Sequence, residues 1–194
     1  MAATLGPETA LLVVDVQRGF DEPLWGARNN PRAEETIGRL LAAWRSSGRP
    51  VLHVQHLSRS PGSPLAPGLP GSEIKPVARP LAGEPVFSKH VNSAFIGTEL
   101  ESHLREHAIQ GLVVVGLTTD HCVSTTVRMA GNLGFDTWVV SDATATFDRV
   151  GPAGESHTAE QIHAVALASL HGEFATVVSA EQLLDLFARS ARAR

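Results

Sequence analysis

The sequence predicts an α/β protein, a single domain over residues 1–194 built on a doubly wound, mostly parallel sheet. Three observations predict it. The runs ALLVV at 10–14 and LVVV at 112–115 show no polar alternation, as expected of strands covered on both faces. Segments with apolar residues at helical spacing follow several of these runs. Six strand-like runs alternate with the helical patterns, which implies right-handed crossovers between parallel strands.

The first strand, Ala10 to Val16, carries a carboxylate, Asp15, near its carboxyl end. A charge in a buried strand is costly unless it is paired or used. The carboxyl edge of an open α/β sheet is also where ligands bind. Capping of the next loop is the alternative role. Gln17 to Asn29 is a loop whose Phe20 and Trp25 either wall a pocket or cover the core. Asn30 and Pro31 supply an N-cap and a first-turn proline for a helix with Ile37, Leu40, Leu41 and Trp44 on its apolar face and Gly48 as its stop.

Val51 to Leu57 is the second strand. Its His53 and His56 suggest a metal pair, but their spacing sends them to opposite faces of a regular strand. Zinc also wants more ligands than two. Ser58 to Pro85, rich in Pro, Gly and Ser, is too long for a plain connection. It reads as an ordered flap, a subunit-contact loop or a disordered segment. Val86 to Ser88 is a short strand with Lys89 at its end. Thr98-x-x-Glu101 is a capping-box pattern for a helix to about His107, with Leu100, Leu104 and Ala108 inward.

The stretch from Leu112 to Phe135 organises the rest. An apolar strand ends at Gly116, and a polar turn, Leu117 to His121, leads into a helix that Cys122 opens. Val123, Val127, Ala130 and Leu133 have helical spacing, and Gly134 is the stop. Free N–H groups and the dipole at a helix start stabilise a thiolate. Taken alone, a lone cysteine reads first as a small buried apolar residue; the strand-to-helix setting of Cys122 reverses that preference. Phe135 to Val140 is a further strand, and Ser141 to Ser156 a polar loop with Asp142 and Phe147. Thr158-x-x-Gln161 opens a helix with Ile162, Val165, Ala166 and Leu170 inward and Gly172 as its stop; its His163, with His171, reads as a surface or packing residue. Phe174 to Val178 is the last strand, and Ser179-x-x-Gln182 opens the final helix.

Composition narrows the function. The formal net charge of −4 comes without a basic stripe, which argues against a nucleic-acid partner. No apolar run reaches the ~20 residues a membrane span needs, and Met1 to Thr9 lacks the basic start of a secretory signal. The single cysteine excludes an internal disulfide and fits a reducing, cytoplasmic setting. No GxGxxG follows the first strand, so dinucleotide binding has no support. Of the 16 Lys and Arg residues, only Lys75 and Lys89 are lysine, the cation that can lose its proton when buried.

Asp15, Lys89 and Cys122 each end or follow a predicted strand, so a parallel sheet gathers them on one edge. A thiol nucleophile, an ammonium that favours its thiolate and a carboxylate that carries its proton make a workable set for amide cleavage. Backbone N–H groups at the start of the Cys122 helix suit the resulting oxyanion.

The segments LLVVDVQRGF, FSKHVNSAFIGTEL and VVVGLTTDHCVSTTVRMAGNLGF resemble, in order, the signature segments of the isochorismatase-like cysteine hydrolases. The resemblance implies a Rossmann-like three-layer αβα fold with a six-stranded sheet of order 3-2-1-4-5-6 and a catalytic triad of Asp15, Lys89 and Cys122. It implies a non-proline cis peptide at Leu117–Thr118, with the backbone N–H groups of Thr118 and Cys122 as oxyanion donors. Nicotinamidases in this family carry a metal-binding Asp-x-His pattern after the second strand. Here His56 and Ser58 stand at those positions, and the 58–85 loop has no histidine. The expectation is therefore an amidohydrolase without metal or cofactor, acting on a small amide, lactam or carbamoyl compound, with a streptothricin hydrolase-like activity among the options. Phe20, Trp25, Asn92, Phe95 and Phe147 are the candidate substrate-binding residues. The partner is a small molecule, not nucleic acid or membrane, and the resemblance implies a homo-oligomer, dimer or tetramer. Vinyl-ether hydrolysis of the isochorismatase type, and a non-catalytic binding module, are the competing readings.

Overall fold

The computed structural model describes residues 5–6 and 8–192. Met1 to Thr4 and Pro7, within the segment read for a targeting signal, lie outside them. Six strands form one sheet of order β3-β2-β1-β4-β5-β8, and every neighbouring pair is parallel. These strands are β1 (Thr9–Val14), β2 (Val51–His56), β3 (Val86–Lys89), β4 (Gly111–Leu117), β5 (Asp136–Ala145) and β8 (Thr176–Val178). A short antiparallel hairpin, β6 (Arg149–Val150) with β7 (Ser156–His157), stands apart. The expected sheet and its order are present, with β8 as the sixth strand.

Helices cover both faces. Ala10, Leu12 and Val14 of β1, with Leu112 and Val114 of β4, pack under α2 (Leu100–Glu106), α3 (Ser124–Asn132) and α4 (Ala159–Leu170). The alternate residues Leu11, Val13, Val113 and Val115 pack under α1 (Ala33–Ser46) and α5 (Ala180–Arg192). Both parities are buried, which is why these strands read as unbroken apolar runs. Among the described residues, no helix is long and apolar enough to cross a membrane.

Several local expectations are corrected. Asn30 does not cap α1, which starts at Ala33 behind Arg32. Its φ is +44, and its side-chain amide donates to Ser141 O at 2.9 Å and Thr144 O at 2.7 Å, so it is committed to β5. Thr98 does not form a capping box: its hydroxyl donates to Ala94 O, and α2 starts at Leu100 behind Glu99. Ala108 lies past the end of α2 with φ +52 and is exposed, and Val165 points outward from α4. Strand β5 runs five residues beyond Val140, through what reads as polar loop. Its register with β4 shifts between Val114 and Gly116, where Gly116 takes φ +122. A Cβ on Gly116 would fall 1.9 Å from Val14 O, so glycine is required where Gly116 of β4 pairs with Val14 of β1. Both capping boxes after Val140 form as expected, Thr158 with Gln161 and Ser179 with Gln182.

The 58–85 segment is ordered, with single 3-10 turns at Pro70–Ser72 and Pro76–Ala78. Buried polar groups fasten it. Gln17 Nε2 donates to His56 O and Ser72 O at 2.9 and 2.8 Å, and Gln17 Oε1 accepts from His56 N at 2.8 Å. Lys75, also buried, joins Asp21 at 2.6 Å and Glu34 at 2.7 Å, and Glu34 also takes both terminal nitrogens of Arg28. These contacts tie the loop after β1 to the flap and to α1, so the walls of the site described next are held from behind.

Candidate active site

Asp15, Lys89 and Cys122 meet at the carboxyl edge of the sheet. Asp15 follows β1 with φ +51, a conformation non-glycine residues rarely take. Its carboxylate meets Lys89 Nζ. Lys89 ends β3, two strands away. Cys122 lies one strand to the other side, beyond β4. It does not open a regular helix as expected: Thr119–Val123 forms a wider π-helical turn, and α3 begins only at Ser124. The Leu117–Thr118 peptide ahead of that turn is cis.

Lys89 Nζ is the hub. It lies 2.6 Å from Asp15 Oδ2, 3.2 Å from Cys122 Sγ and 3.1 Å from His56 Nδ1. Asp15 and Lys89 are fully buried, and Cys122 is 7% exposed. Burial raises the Asp15 carboxyl above its ordinary value, with Lys89 pulling the other way. Burial and the Asp15 carboxylate both push the Cys122 thiol up, and Lys89 opposes them only in part. The thiol is therefore protonated at rest. Desolvation and the carboxylate beside it thus act against the thiolate that a helix start favours. His56 is pushed down to about 4 by burial and by the Lys89 charge, so its ring is neutral.

A cleft of about 370 Å³ opens above Cys122. Phe20, Leu24 and Trp25 form one wall, and Ser58 and the 60–65 segment of the flap form another. Asn92, Thr118, His121 and Arg149 complete it. Phe20, Trp25 and Asn92 thus line the cleft, and Asn92 Oδ1 is 3.8 Å from Cys122 Sγ. Phe147 is set back: it is buried behind Phe20 and Trp25, with ring centroids 6.2 and 5.8 Å away. Phe95 stacks on Phe135 at 6.0 Å and belongs to the core beneath α2 and α3, not to the cleft.

The sequence reading missed His121 and Arg149. His121 adjoins the nucleophile in sequence, which is a usable signal; Arg149 comes from the unforeseen β6 hairpin and carries none. Asp120 joins the two, its Oδ2 lying 2.9 Å from Arg149 Nε and 3.4 Å from His121 Nε2, and it also accepts from the Thr146 hydroxyl. On the other side of the turn, the Thr119 hydroxyl meets His163 Nδ1 at 2.9 Å, so His163 braces the Cys122 turn from α4.

The nicotinamidase-type metal set is not met. The ring nitrogen His56 would offer faces the Lys89 ammonium, and Ser58 Oγ accepts from Ser60 N at 3.2 Å. His53, on the other face of β2, pairs with Glu84 at 2.9 Å.

Comparison with known proteins agrees with the motifs. The model of the isochorismatase domain matches residues 9–182. The isochorismatase family protein YrdC of Bacillus subtilis (strain 168), itself uncharacterized, is 47% identical over 181 residues, 93% of this chain and 97% of that one. A streptothricin hydrolase of Streptomyces noursei is 37% identical over 142 residues, 72% of this chain and 50% of its own length. Among solved structures, a protein of the isochorismatase family from Chromobacterium violaceum ATCC 12472 superposes with a TM-score of 0.92 at 42% identity, over 97% of this chain and 100% of that one.

Proposed function

The chain belongs to the isochorismatase family of hydrolases, and within it we propose that the protein is a cysteine amidohydrolase that cleaves the C–N bond of a small amide, lactam or carbamoyl compound. One observation carries the reading. A single buried ammonium, Lys89, bonds both a buried carboxylate and the only thiol, and that thiol faces a cleft.

The reaction starts from a neutral thiol. Asp15 takes the Cys122 proton as Sγ attacks the carbonyl carbon, so charge separates only as the new C–S bond forms. A carboxyl raised by burial is a stronger base for a thiol than an ordinary one. Lys89 Nζ, 3.2 Å from the sulfur, stabilises it while thiolate character develops. The backbone N–H groups of Thr118 and Cys122 receive the oxyanion. Asp15 then gives its proton to the leaving nitrogen, and the C–N bond breaks to leave a Cys122 thioester. Asp15 next removes a proton from water, which attacks the thioester carbon. Collapse of that second intermediate frees the acid and returns the proton to the sulfur. No step calls for a metal or an organic cofactor. The flat aromatic faces of Phe20 and Trp25 favour a compact, partly apolar substrate.

The relative from Streptomyces noursei makes streptothricin lactam a first substrate to try, within a panel of lactams, primary amides and carbamoyl amines. The test is turnover by wild type and Cys122→Ala, with intact mass after a rapid quench. An acyl adduct on Cys122 and loss of turnover by at least ~10³-fold in the variant are expected. Full turnover by Cys122→Ala on a confirmed substrate overturns the reading. Full turnover by that variant on isochorismate would point to ether hydrolysis instead.

A further inference from the structure

We propose that Asp15, His56 and Cys122 form a three-ligand cation site in which the Lys89 ammonium is the resident cation, with His56 positioning that ammonium as fully as the triad members do. The chain's two lysines make the contrast. Lys75 is held by carboxylates alone, Asp21 and Glu34. Lys89 is held by one oxygen, one ring nitrogen and one sulfur, at 2.6, 3.1 and 3.2 Å. An ammonium has three N–H donors, and each of Lys89's has a different acceptor. The three acceptor atoms lie within 4.8 Å of one another.

Oxygen, imidazole nitrogen and thiolate sulfur form a donor set that divalent zinc and cobalt also take. Zinc bonds of ~2.0–2.3 Å are shorter than the ammonium contacts, so each ligand would have to close by roughly 1 Å. His56 and Cys122 both line the cleft, which leaves a side open for water as a fourth ligand. With the amine present, a second positive charge has no place among these atoms. Without it, the buried Asp15 carboxylate has lost its counter-charge, and a cation is the group that restores it. Lys89 therefore keeps metals out of a site whose ligands would otherwise hold one, and His56 serves the enzyme as a neutral acceptor for the ammonium.

The test is a Co²⁺ titration read by absorption, followed by Zn²⁺ competition, on wild type, Lys89→Ala and Lys89→Ala/His56→Ala. Lys89→Ala is expected to bind one equivalent with an intense near-ultraviolet thiolate-to-cobalt band, at least ~100-fold tighter than wild type; removing His56 as well costs at least ~10-fold. Zn²⁺ is expected to raise the Tm of Lys89→Ala and to leave that of wild type unchanged. Lys89→Ser carries the same titration if Lys89→Ala does not fold. Binding by the lysine variants no tighter than by wild type overturns the proposal, and so does binding indifferent to His56. A thiolate band in wild type, which is already folded, overturns it too. The titration uses no substrate, so its outcome is independent of the amidohydrolase reading.

Discussion

Replacing Asp15 by Asn should abolish hydrolysis and, at the same time, make Cys122 more reactive toward a simple alkylating agent. The carboxylate is the base of the proposed reaction, yet at rest its charge helps hold the proton on the thiol. The ligand atoms of the two residues lie within 4.8 Å. At an effective dielectric of about 20, a unit charge at that distance contributes about 3 kcal/mol. That corresponds to about two pKa units, or about a hundredfold in thiolate fraction at neutral pH. A less basic thiolate is also a weaker nucleophile, with a Brønsted slope of about 0.5, which removes about tenfold of the gain. The net expectation is iodoacetamide alkylation about tenfold faster in Asp15→Asn than in wild type near pH 7. Intact mass reads it without ambiguity, because the chain has one cysteine. Wild type should show no inflection below the free-thiol value of ~8.5. Unchanged or slower alkylation in Asp15→Asn would refute the argument, as would a wild-type inflection well below ~8.5, since either result means that Asp15 does not hold the thiol protonated.

Gly116→Ala should cost several kcal/mol, on the order of 3 or more, measured by urea unfolding, because its Cβ would overlap Val14 O and its φ of +122 suits only glycine. Acid should weaken the fold in two windows. His56 has a depressed pKa, so its contribution is complete above the unfolded value of about 6.5 and is lost as pH falls toward about 4. Glu34 and Glu84, each lowered to about 2 by ion pairs and hydrogen bonds that outweigh burial, lose theirs as pH falls from about 4.5 toward 2. Urea midpoints that hold constant from pH 7 to pH 3 would contradict both windows.

Much of the site was legible because its residues break local rules. A carboxylate at the end of an apolar strand, a rare lysine at a strand end and a lone cysteine after a Gly-bounded strand are each costly or unusual where they stand. Parallel topology then requires that all three share one edge, so strand-end placement sufficed to gather Asp15, Lys89 and Cys122. The two later capping boxes were legible for a different reason: they are short-range hydrogen-bond patterns. Asn30 misled because its side chain found long-range partners, the carbonyls of β5, and Thr98 because its hydroxyl turned back to the carbonyl of Ala94, four residues earlier. The extension of β5 was hidden by its polar composition.

Alternation, helical spacing and local hydrogen-bond chemistry are properties of neighbouring residues, and so the sequence by itself determined the α/β class and the strand ends at which Asp15, Lys89 and Cys122 stand, while the strand order came from the resemblance of its motifs. The protonation of Cys122, the role of His56 and the composition of the cleft were decided only by the tertiary structure. A thiol's proton depends on every charge and on all the burial around it, and here desolvation and Asp15 outweigh Lys89. His56 and Arg149 reach the site from residues 33 and 60 positions from Lys89. No local pattern records such distances, because they are set when the sheet closes and its edge loops pack against one another.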